Sequence, residues 1–148
     1  MLGSLATWLR LLGYDTFYAN RDITDDDLLQ IAKTEQRTIL SRDKEFIYKA
    51  KKENIPILEI KTTDLDTQLH AILKQIPVDN TRILSRCTLC NTPLEPIEKN
   101  KIQEKVAQRI FEQHDTFWFC THCNKVYWAG THYDNISKKL EMLMKKQE

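Results

Sequence analysis

The chain has 148 residues, of which 41% are hydrophobic and 29% are charged. This length is enough for one domain, or for a domain of roughly 80 residues with a small second unit. No segment approaches the ~20 apolar residues that cross a bilayer, and the first residues lack the pattern of a secretory signal, so we expect a cytoplasmic protein. The net charge of +1 excludes a surface that captures nucleic acid by its overall charge.

The first predicted element is an amphipathic helix over residues 2–13. Leucines recur there at helical spacing, and Gly13 is a natural C-terminal stop. Residues 14–19 ("YDTFYA") alternate enough to predict a strand. The leucines are Leu2, Leu5, Leu9 and Leu12.

Helices and strands alternate over the following residues. Thr24 and Asp27 come close to a capping box at the start of one helix, and Pro77 ends another. Strands joined through helices run parallel, so the pattern predicts an α/β fold with a parallel sheet. In such a fold the first helix normally follows a strand, so we expect that a first strand is missing. The predicted elements are helices at 24–35, 44–53 and 64–76, and strands at 38–40 and 55–60.

The second half of the chain has a different character. It contains all four cysteines and two of the three tryptophans. We therefore predict a domain boundary near residue 82, which divides the chain into residues 1–82 and 83–148, with residues 77–85 as the connector. The sequence of residues 134–148 is typical of a solvated helix, so we predict a C-terminal helix there.

Two Cys-x-x-Cys motifs dominate this second half. "CTLC" supplies Cys87 and Cys90, and "CTHC" supplies Cys120 and Cys123. The spacing directs both sulfurs of each turn to one ion, and two such turns complete the tetrahedral site of a structural zinc ion, which has no open position for chemistry. Disulfides or a redox pair are alternatives that a cytoplasmic location and the presence of two pairs disfavour. A helix at about residues 99–111 is expected to fill the interval between the motifs.

Histidines and aromatic residues near the cysteines have two interpretations each. His122 and His132 are potential ligands, but four sulfurs already fill the shell, so a hydrogen-bonded or surface role is favoured. The aromatic side chains could stack on unpaired bases or form the core of the ribbon, and a core role is favoured for most because so small a unit has little else to bury. These aromatic residues are Phe117, Trp118, Phe119, Tyr127, Trp128 and Tyr133.

Net charge differs between the two halves. Residues 1–80 carry 11 basic and 13 acidic residues, and residues 81–148 carry 11 basic and 8 acidic residues. Four thiolates and a zinc ion would leave the second half only mildly basic. Any binding of RNA there would therefore depend on local patches.

Acidic residues surround one predicted strand. Asp43 follows the strand directly, Glu45 lies on the first turn of the next helix, and Asp25, Asp26 and Asp27 begin the preceding helix. In an open parallel sheet, ligands bind outside the carboxyl ends of the strands, where both groups should lie. Such oxygen ligands suit Mg²⁺ or Mn²⁺, which can activate water and stabilise charge on a phosphodiester. Acidic residues in a first helical turn also satisfy free N–H groups and the helix dipole, so the pattern leaves both interpretations open.

Several of these segments together resemble a known family. "MLGSLATWLRLLGYDT", "DDDLLQIA" and "ILSRDKEF" resemble the PIN-like ribonuclease domain first named from the C-terminal region of the Mut-seven exonucleases. "SRCTLCNTPLEP" and "FWFCTHCNKVYWAGTHY" are similar to the zinc ribbon that follows this domain. The resemblance covers nearly the whole chain, and "VYWAGTHY" is its most specific part. It implies a PIN-like α/β domain followed by a small zinc-ribbon domain, with an acidic Mg²⁺ or Mn²⁺ site that hydrolyses RNA.

The resemblance also assigns roles to residues. The acid that opens the second helix falls on Asp25, with Asp26 adjacent, and the acid after the next strand falls on Asp43. Glu45 stands where related domains often place another acid. The implied mechanism is attack of metal-activated water on a phosphodiester, without a covalent intermediate.

Two basic residues, Arg10 and Arg42, match basic positions of the family's motifs and could hold phosphate. For Arg10, a solvated helix face is the alternative.

One departure from the family affects the predicted activity. Family members usually carry the first acid of the site on a short strand before the "MLG" segment, where the given sequence begins, so we expect either a start placed at an internal methionine or a site that lacks this acid. A non-catalytic RNA- or protein-binding module with an incomplete site is therefore the alternative to a ribonuclease. A toxin-like nuclease with a protein antidote is a third interpretation, which the ribbon disfavours. The sequence fixes neither the RNA substrate nor the oligomeric state, and a homodimer is left open.

Overall fold

A computed structural model describes residues 2–20 and 22–145 of the chain, without the side chains of residues 131 and 132. The helices are α1 (Gly3–Leu11), α2 (Asp25–Thr34), α3 (Lys44–Lys52), α4 (Leu65–Gln75), α5 (Gln108–Gln113) and α6 (Thr131–Lys145). The strands are β1 (Ile39–Ser41), β2 (Ile57–Glu59), β3 (Glu95–Ile97), β4 (Phe117–Cys120) and β5 (Lys125–Trp128). Single turns of 3₁₀ helix lie at Asn80–Arg82 and Lys99–Lys101. No helix in these described ranges is both long and apolar enough to span a membrane.

The predicted α/β fold with a parallel sheet is confirmed. Strands β1 and β2 pair in parallel, with Ile39 opposite Ile57 and Ser41 opposite Glu59, and α3 connects them. The predicted helices and strands between residues 24 and 76 are found within two residues of their expected ends. Buried apolar side chains of α2, β1, α3 and the connection to β2 form one core cluster. It consists of Leu29, Ala32, Ile39, Phe46, Ala50 and Ile55.

Polar side chains fix where these helices begin. The hydroxyl of Thr24 accepts a hydrogen bond from the Asp27 N–H at the start of α2. The Asp64 carboxylate accepts one from the Thr67 N–H at the start of α4. Each of these N-caps satisfies a backbone donor that has no partner inside the helix.

The predicted strand at residues 14–19 is not formed. The Thr16 N–H donates to Asn91 Oδ1, and the Thr16 carbonyl accepts from Arg10 Nε, so side chains occupy backbone groups that a ladder would need. Among the described residues, no strand lies on the free side of β1. The alternation of this segment therefore had no partner strand to pair with.

Gly13 brings α1 and the connector together. Its φ of +93° is in the left-handed region, and a Cβ atom there would lie 2.4 Å from the Arg82 carbonyl oxygen. A hydrogen bond from the Leu84 N–H to the Leu11 carbonyl also joins the connector to the end of α1. The chain can approach this closely only because residue 13 has no side chain.

The second half forms the predicted ribbon. Its antiparallel sheet has the order β3-β4-β5, and Phe117 lies opposite both Ile97 and Trp128. One helix at about residues 99–111 was expected, and this is wrong. The chain instead makes the turn at Lys99–Lys101 and the six-residue α5, which place apolar side chains from two directions over the sheet. The resulting core consists of Ile102, Phe117 and Val126, with Ile97, Val106, Ile110, Phe111, Phe119 and Trp128 packed against it.

Helix α6 is less solvated than predicted. Ile136, Leu140 and Leu143 recur on one face and are buried in the core that α1 and α4 form. Its Lys139 also pairs with Asp66 of α4 at 2.7 Å. The predicted helix ran to residue 148, and residues 146–148 lie outside the described part of the chain. The domain boundary near residue 82 stays a prediction, and the α6 contacts join the two sides of it.

Candidate metal centre and acidic edge

Four sulfur atoms converge in the ribbon. The Sγ atoms of Cys87, Cys90, Cys120 and Cys123 all lie within 4.8 Å of one another, and all four thiols are free. Zinc–sulfur bonds of ~2.3 Å in a tetrahedron place the sulfurs about 3.8 Å apart. The sulfurs of Cys90 and Cys120 are 3.5 Å apart. The four cysteines therefore fit a tetrahedral metal ion, and the ribbon with this cluster fits a zinc ribbon.

The two cysteine turns are built alike. The backbone N–H of Asn91 donates to the Cys87 carbonyl at 2.9 Å, and that of Asn124 donates to the Cys120 carbonyl at 2.8 Å. Both asparagines have positive φ, +74° and +56°, which asparagine tolerates better than most residues. The sequence already indicated that the two turns are alike, since both motifs read Cys-Thr-x-Cys-Asn.

Hydrogen bonds and crowding set the proton affinity of the sulfurs. Burial alone would raise the pKa of Cys90, but its hydrogen bonds with Thr92 outweigh this and lower the pKa to about 6. The neighbouring Cys90 sulfur, together with burial, raises the pKa of Cys123 to about 12. Four thiolates this close repel one another, so a cation must compensate their charge before all can ionise.

Tyr127 supports the first cysteine turn. Its hydroxyl lies 3.1 Å from Cys87 Sγ and accepts a hydrogen bond from the Thr88 N–H at 3.2 Å. Burial, with the Cys87 sulfur beside it, raises the pKa of Tyr127 to about 12. The hydroxyl therefore keeps its proton at physiological pH and can donate it to the sulfur. Sequence reasoning treated Tyr127 only as core or stacking aromatic and missed this contact.

Two histidines near the cysteine cluster were considered as metal ligands, and the structure describes the side chain of one of them. His122 is exposed, and its Nδ1 lies 3.7 Å from Cys123 Sγ, outside the group of four sulfurs. The side chain of His132 lies outside the described residues.

A polar network joins the first cysteine turn to the end of α1. Arg10 is 8% exposed and donates from Nε to the Thr16 carbonyl and from Nη1 to the Thr88 carbonyl, both at 3.0 Å. The amide of Asn91 accepts from the Thr16 N–H and donates to Asp15 Oδ1 at 2.7 Å. The Arg10 guanidinium is thus hydrogen-bonded to two backbone carbonyls. The buried side chain does not lie on a solvated helix face, and its predicted contact with phosphate stays a prediction.

Asp15 lies at the centre of this network. Burial alone would raise its pKa, but hydrogen bonds from Asn91 and Arg37 outweigh burial and hold the pKa below its ordinary value. Arg86 is a third partner of the Asp15 carboxylate, at 3.7 Å. Sequence reasoning did not single out Asp15 or Asn91, because their partners lie more than twenty residues away along the chain.

Two of the predicted acidic residues follow β1 at the carboxyl end of the parallel sheet. Asp43 follows β1 and caps α3, and its Oδ1 accepts from the N–H groups of Glu45 and Phe46 at 2.9 and 3.2 Å. Asp25 and Asp26 are exposed on the first turn of α2. Glu45 is exposed on the first turn of α3.

These carboxylates are not gathered into a preformed metal site. Within the described ranges, the cysteine cluster is the only group of three or more acidic, histidine or cysteine residues whose ligand atoms converge. Arg42 is half-buried between β1 and the Asp43 cap. A cation at this edge would have to be held by fewer carboxylates than a closed protein cage provides.

Comparison with known protein families identifies the chain. The family model described as Mut7-C RNAse domain matches residues 1–140. The chain belongs to this family. The match includes both the parallel sheet and the ribbon with its four cysteines. Searches of curated proteins and of solved structures find no match.

Proposed function

We propose that this protein is a metal-dependent ribonuclease that hydrolyses phosphodiesters of RNA. Membership of the Mut7-C RNAse domain family over residues 1–140 is the observation that carries this proposal. We assign catalysis to Asp25, Asp26, Asp43 and Glu45, which would hold Mg²⁺ or Mn²⁺. The bound cation would activate a water molecule and stabilise charge on the phosphodiester.

The coordination chemistry of Mg²⁺ is compatible with this arrangement. Mg²⁺ commonly keeps several waters and is held by one or two carboxylates together with phosphate oxygens of the substrate. Both cap hydrogen bonds of Asp43 use Oδ1, which leaves Oδ2 for a cation. The exposed Asp25, Asp26 and Glu45 could contact its waters. On this proposal, the site is completed only when RNA supplies its phosphate.

The remaining parts of the proposal concern binding and stability. Arg42 lies beside Asp43 and is our candidate for a phosphate contact, because guanidinium pairs well with phosphate oxygens. The four cysteines would hold one zinc ion with no open position, so zinc would maintain the ribbon. We place the protein in the cytoplasm, where thiols stay reduced.

A second candidate function is a non-catalytic RNA- or protein-binding module. The observation that favours it is the absence of a converged carboxylate group in the part of the chain that the structure describes. Such a module would bind RNA or protein and leave any bound RNA intact.

One experiment separates the two candidates. The zinc-loaded chain is passed through metal-free buffer and incubated with 5′-labelled single-stranded RNA, with and without Mn²⁺. Omission of Mn²⁺ is a better control than EDTA, because EDTA would also strip zinc from the cysteines. Cleavage only with Mn²⁺ supports the ribonuclease. RNA that is bound but intact, with zinc content and fold verified, supports the binding module.

A further inference from the structure

Helix α3 has one side that is both basic and aromatic. Its nine residues include four lysines and one acidic residue. Lys44, Tyr48 and Lys52 follow one another at intervals of four, and Lys51 lies seven positions after Lys44, so all four lie on one side of the helix. These four residues are exposed, whereas the opposite side of α3 is buried. We call Lys44, Tyr48, Lys51 and Lys52 the α3 face.

The lysines of the α3 face have no carboxylate partner. Among the ion pairs of the described residues, none includes Lys44, Lys51 or Lys52. Glu53, which follows the helix, is paired instead with Lys33 of α2 at 2.9 Å. Lysines in a last helical turn stabilise the helix dipole, which accounts for Lys51 and Lys52. The dipole disfavours a cation in the first turn, so it does not account for Lys44.

Tyr48 lies between these lysines and is 67% exposed, the highest value among the large hydrophobic side chains of the described residues. Lys52 Nζ lies 6.0 Å from the centre of its ring. This distance is at the outer limit of about 6 Å for a cation–π contact, so the ring is not covered. An exposed aromatic ring among cations is the combination on which proteins stack the bases of a single strand.

The α3 face begins beside a proposed catalytic residue. Asp43 caps α3, and Lys44 is the first residue of the helix. With a rise of 1.5 Å per residue, Tyr48 is about 7.5 Å along the helix axis from Asp43, and Lys52 is about 12 Å from Lys44. The second distance is about the length of three stacked nucleotides. A strand held along this face would therefore bring a neighbouring phosphodiester to Asp43.

We propose that the α3 face binds single-stranded RNA, with a base stacked on Tyr48 and phosphates contacted by Lys44, Lys51 and Lys52. The charge of the face is complementary to phosphate, and stacking favours a nucleic acid over an acidic protein surface. A single strand fits better than a duplex, because the bases of a duplex are not free to stack on a side chain. The inference rests on the proposed function for the choice of RNA as the ligand, and it adds a binding surface to that function.

RNA binding in the absence of Mn²⁺ tests the role of Tyr48. The probe is a fluorescein-labelled oligouridine of about ten nucleotides, and the control is an abasic strand of the same length and charge. By fluorescence anisotropy of the zinc-loaded chain, Tyr48→Ala should weaken oligouridine binding at least fivefold and leave binding of the abasic strand unchanged. Tyr48→Phe retains the ring and should bind as the wild type does. Equal binding of oligouridine by the wild type and Tyr48→Ala would overturn the proposal.

The salt dependence of binding tests the lysines. Each phosphate contact contributes about 0.7 to the slope of log K against log salt, so Lys44→Gln combined with Lys52→Gln should reduce the slope by about 1.4. The matched control combines Lys138→Gln with Lys145→Gln, which removes the same charge from exposed positions of α6 and should leave the slope unchanged. An equal reduction in both double variants would show capture by overall charge and overturn the proposal.

Two further measurements separate this inference from its alternatives. A polyglutamate peptide that binds the α3 face as tightly as oligouridine does would point to an acidic protein and overturn it. Cleavage with Mn²⁺ is measured on the same proteins. RNA that binds through the α3 face but is not cleaved would support this inference and contradict the ribonuclease alone. Cleavage by a chain whose RNA binding is unchanged in the α3 variants would overturn this inference alone.

Discussion

Arg10 Nη1 lies 3.0 Å from the carbonyl oxygen of Thr88 and joins helix α1 to the turn between Cys87 and Cys90. The two residues are 78 positions apart in the chain. The same guanidinium holds the Thr16 carbonyl, so one buried cation fixes the geometry of two loops. The first cysteine turn of the ribbon is therefore physically connected to α1 and to the segment that follows it.

Replacement of Arg10 should destabilise the fold. Arg10→Met retains an apolar stem but leaves the carbonyls of Thr16 and Thr88 without their charged donor, which should cost about 3 kcal/mol. Urea unfolding of the zinc-loaded chain measures the loss. The matched control is Arg109→Met, at an exposed position on α5, which should change stability by less than about 0.5 kcal/mol. Equal stability of the Arg10 variant and the wild type would show that the buried contacts contribute nothing net.

Asp15 should stabilise the fold in a pH-dependent way. Its pKa is below 3.8 in the folded chain, so its contribution is fully present above pH 3.8 and is lost as the pH falls through the folded pKa. Asp15→Asn should lower the stability at pH 7, by less than about 1 kcal/mol because the carboxylate is half exposed. Thermal unfolding of both chains between pH 7 and pH 3 measures the difference, in which effects on the shared zinc site cancel. Asp22→Asn, at an exposed residue, is the control. A difference that does not become smaller as the pH falls towards 3 would contradict the charge-based account.

The cysteine cluster should bind one zinc ion per chain. Cys120→Ser should abolish this stoichiometry in elemental analysis, because serine does not replace a thiolate in a closed site. Loss of the metal should also destabilise the β4–β5 hairpin, which carries two of the four ligands. Thr121→Ser, in the same turn, should retain the full zinc content. Zinc content unchanged in the Cys120 variant would place the metal elsewhere.

Tyr127 should strengthen metal binding through Cys87. Tyr127→Phe removes the hydroxyl 3.1 Å from the sulfur and should weaken zinc affinity by about tenfold, as loss of such supporting hydrogen bonds commonly does. Competition with a chromophoric chelator measures the affinity. Tyr133→Phe, at an exposed residue on α6, should have no effect. Equal affinities of the two variants would show that the contact does not tune the metal.

The parts of the fold predicted from the sequence are those set by local pattern. Helix α2 follows from its apolar spacing and its Thr24 cap, and the ribbon follows from two Cys-x-x-Cys turns. The strand at residues 14–19 failed because pairing depends on a partner strand, which alternation within one segment cannot supply. Helix α6 was expected to be solvated because its charged residues dominate its composition, whereas three apolar residues on one face decide its packing.

In the candidate site too, the features set by local spacing were predicted from the sequence, and those formed by distant residues were not. The cysteine cluster follows from spacing because each turn places its two sulfurs locally. The Arg10–Thr88 contact joins residues far apart in sequence, so no local pattern could predict it. For Asp43, a cap and a metal ligand have the same sequence signature, and the structure places it as a cap with one oxygen to spare.

The rate of RNA cleavage by Asp43→Asn is the most direct test of the catalytic assignment. Asparagine is as good an N-cap as aspartate, so this variant should keep the start of α3 while losing the charge that would hold a cation. The measurement is the cleavage rate of labelled single-stranded RNA over a series of Mn²⁺ concentrations, with Asp134→Asn at an exposed position of α6 as the control. We predict Mn²⁺-dependent cleavage that falls at least a hundredfold in Asp43→Asn and is unchanged in Asp134→Asn. Equal cleavage by the wild type and Asp43→Asn would contradict the assignment of a catalytic cation to this edge.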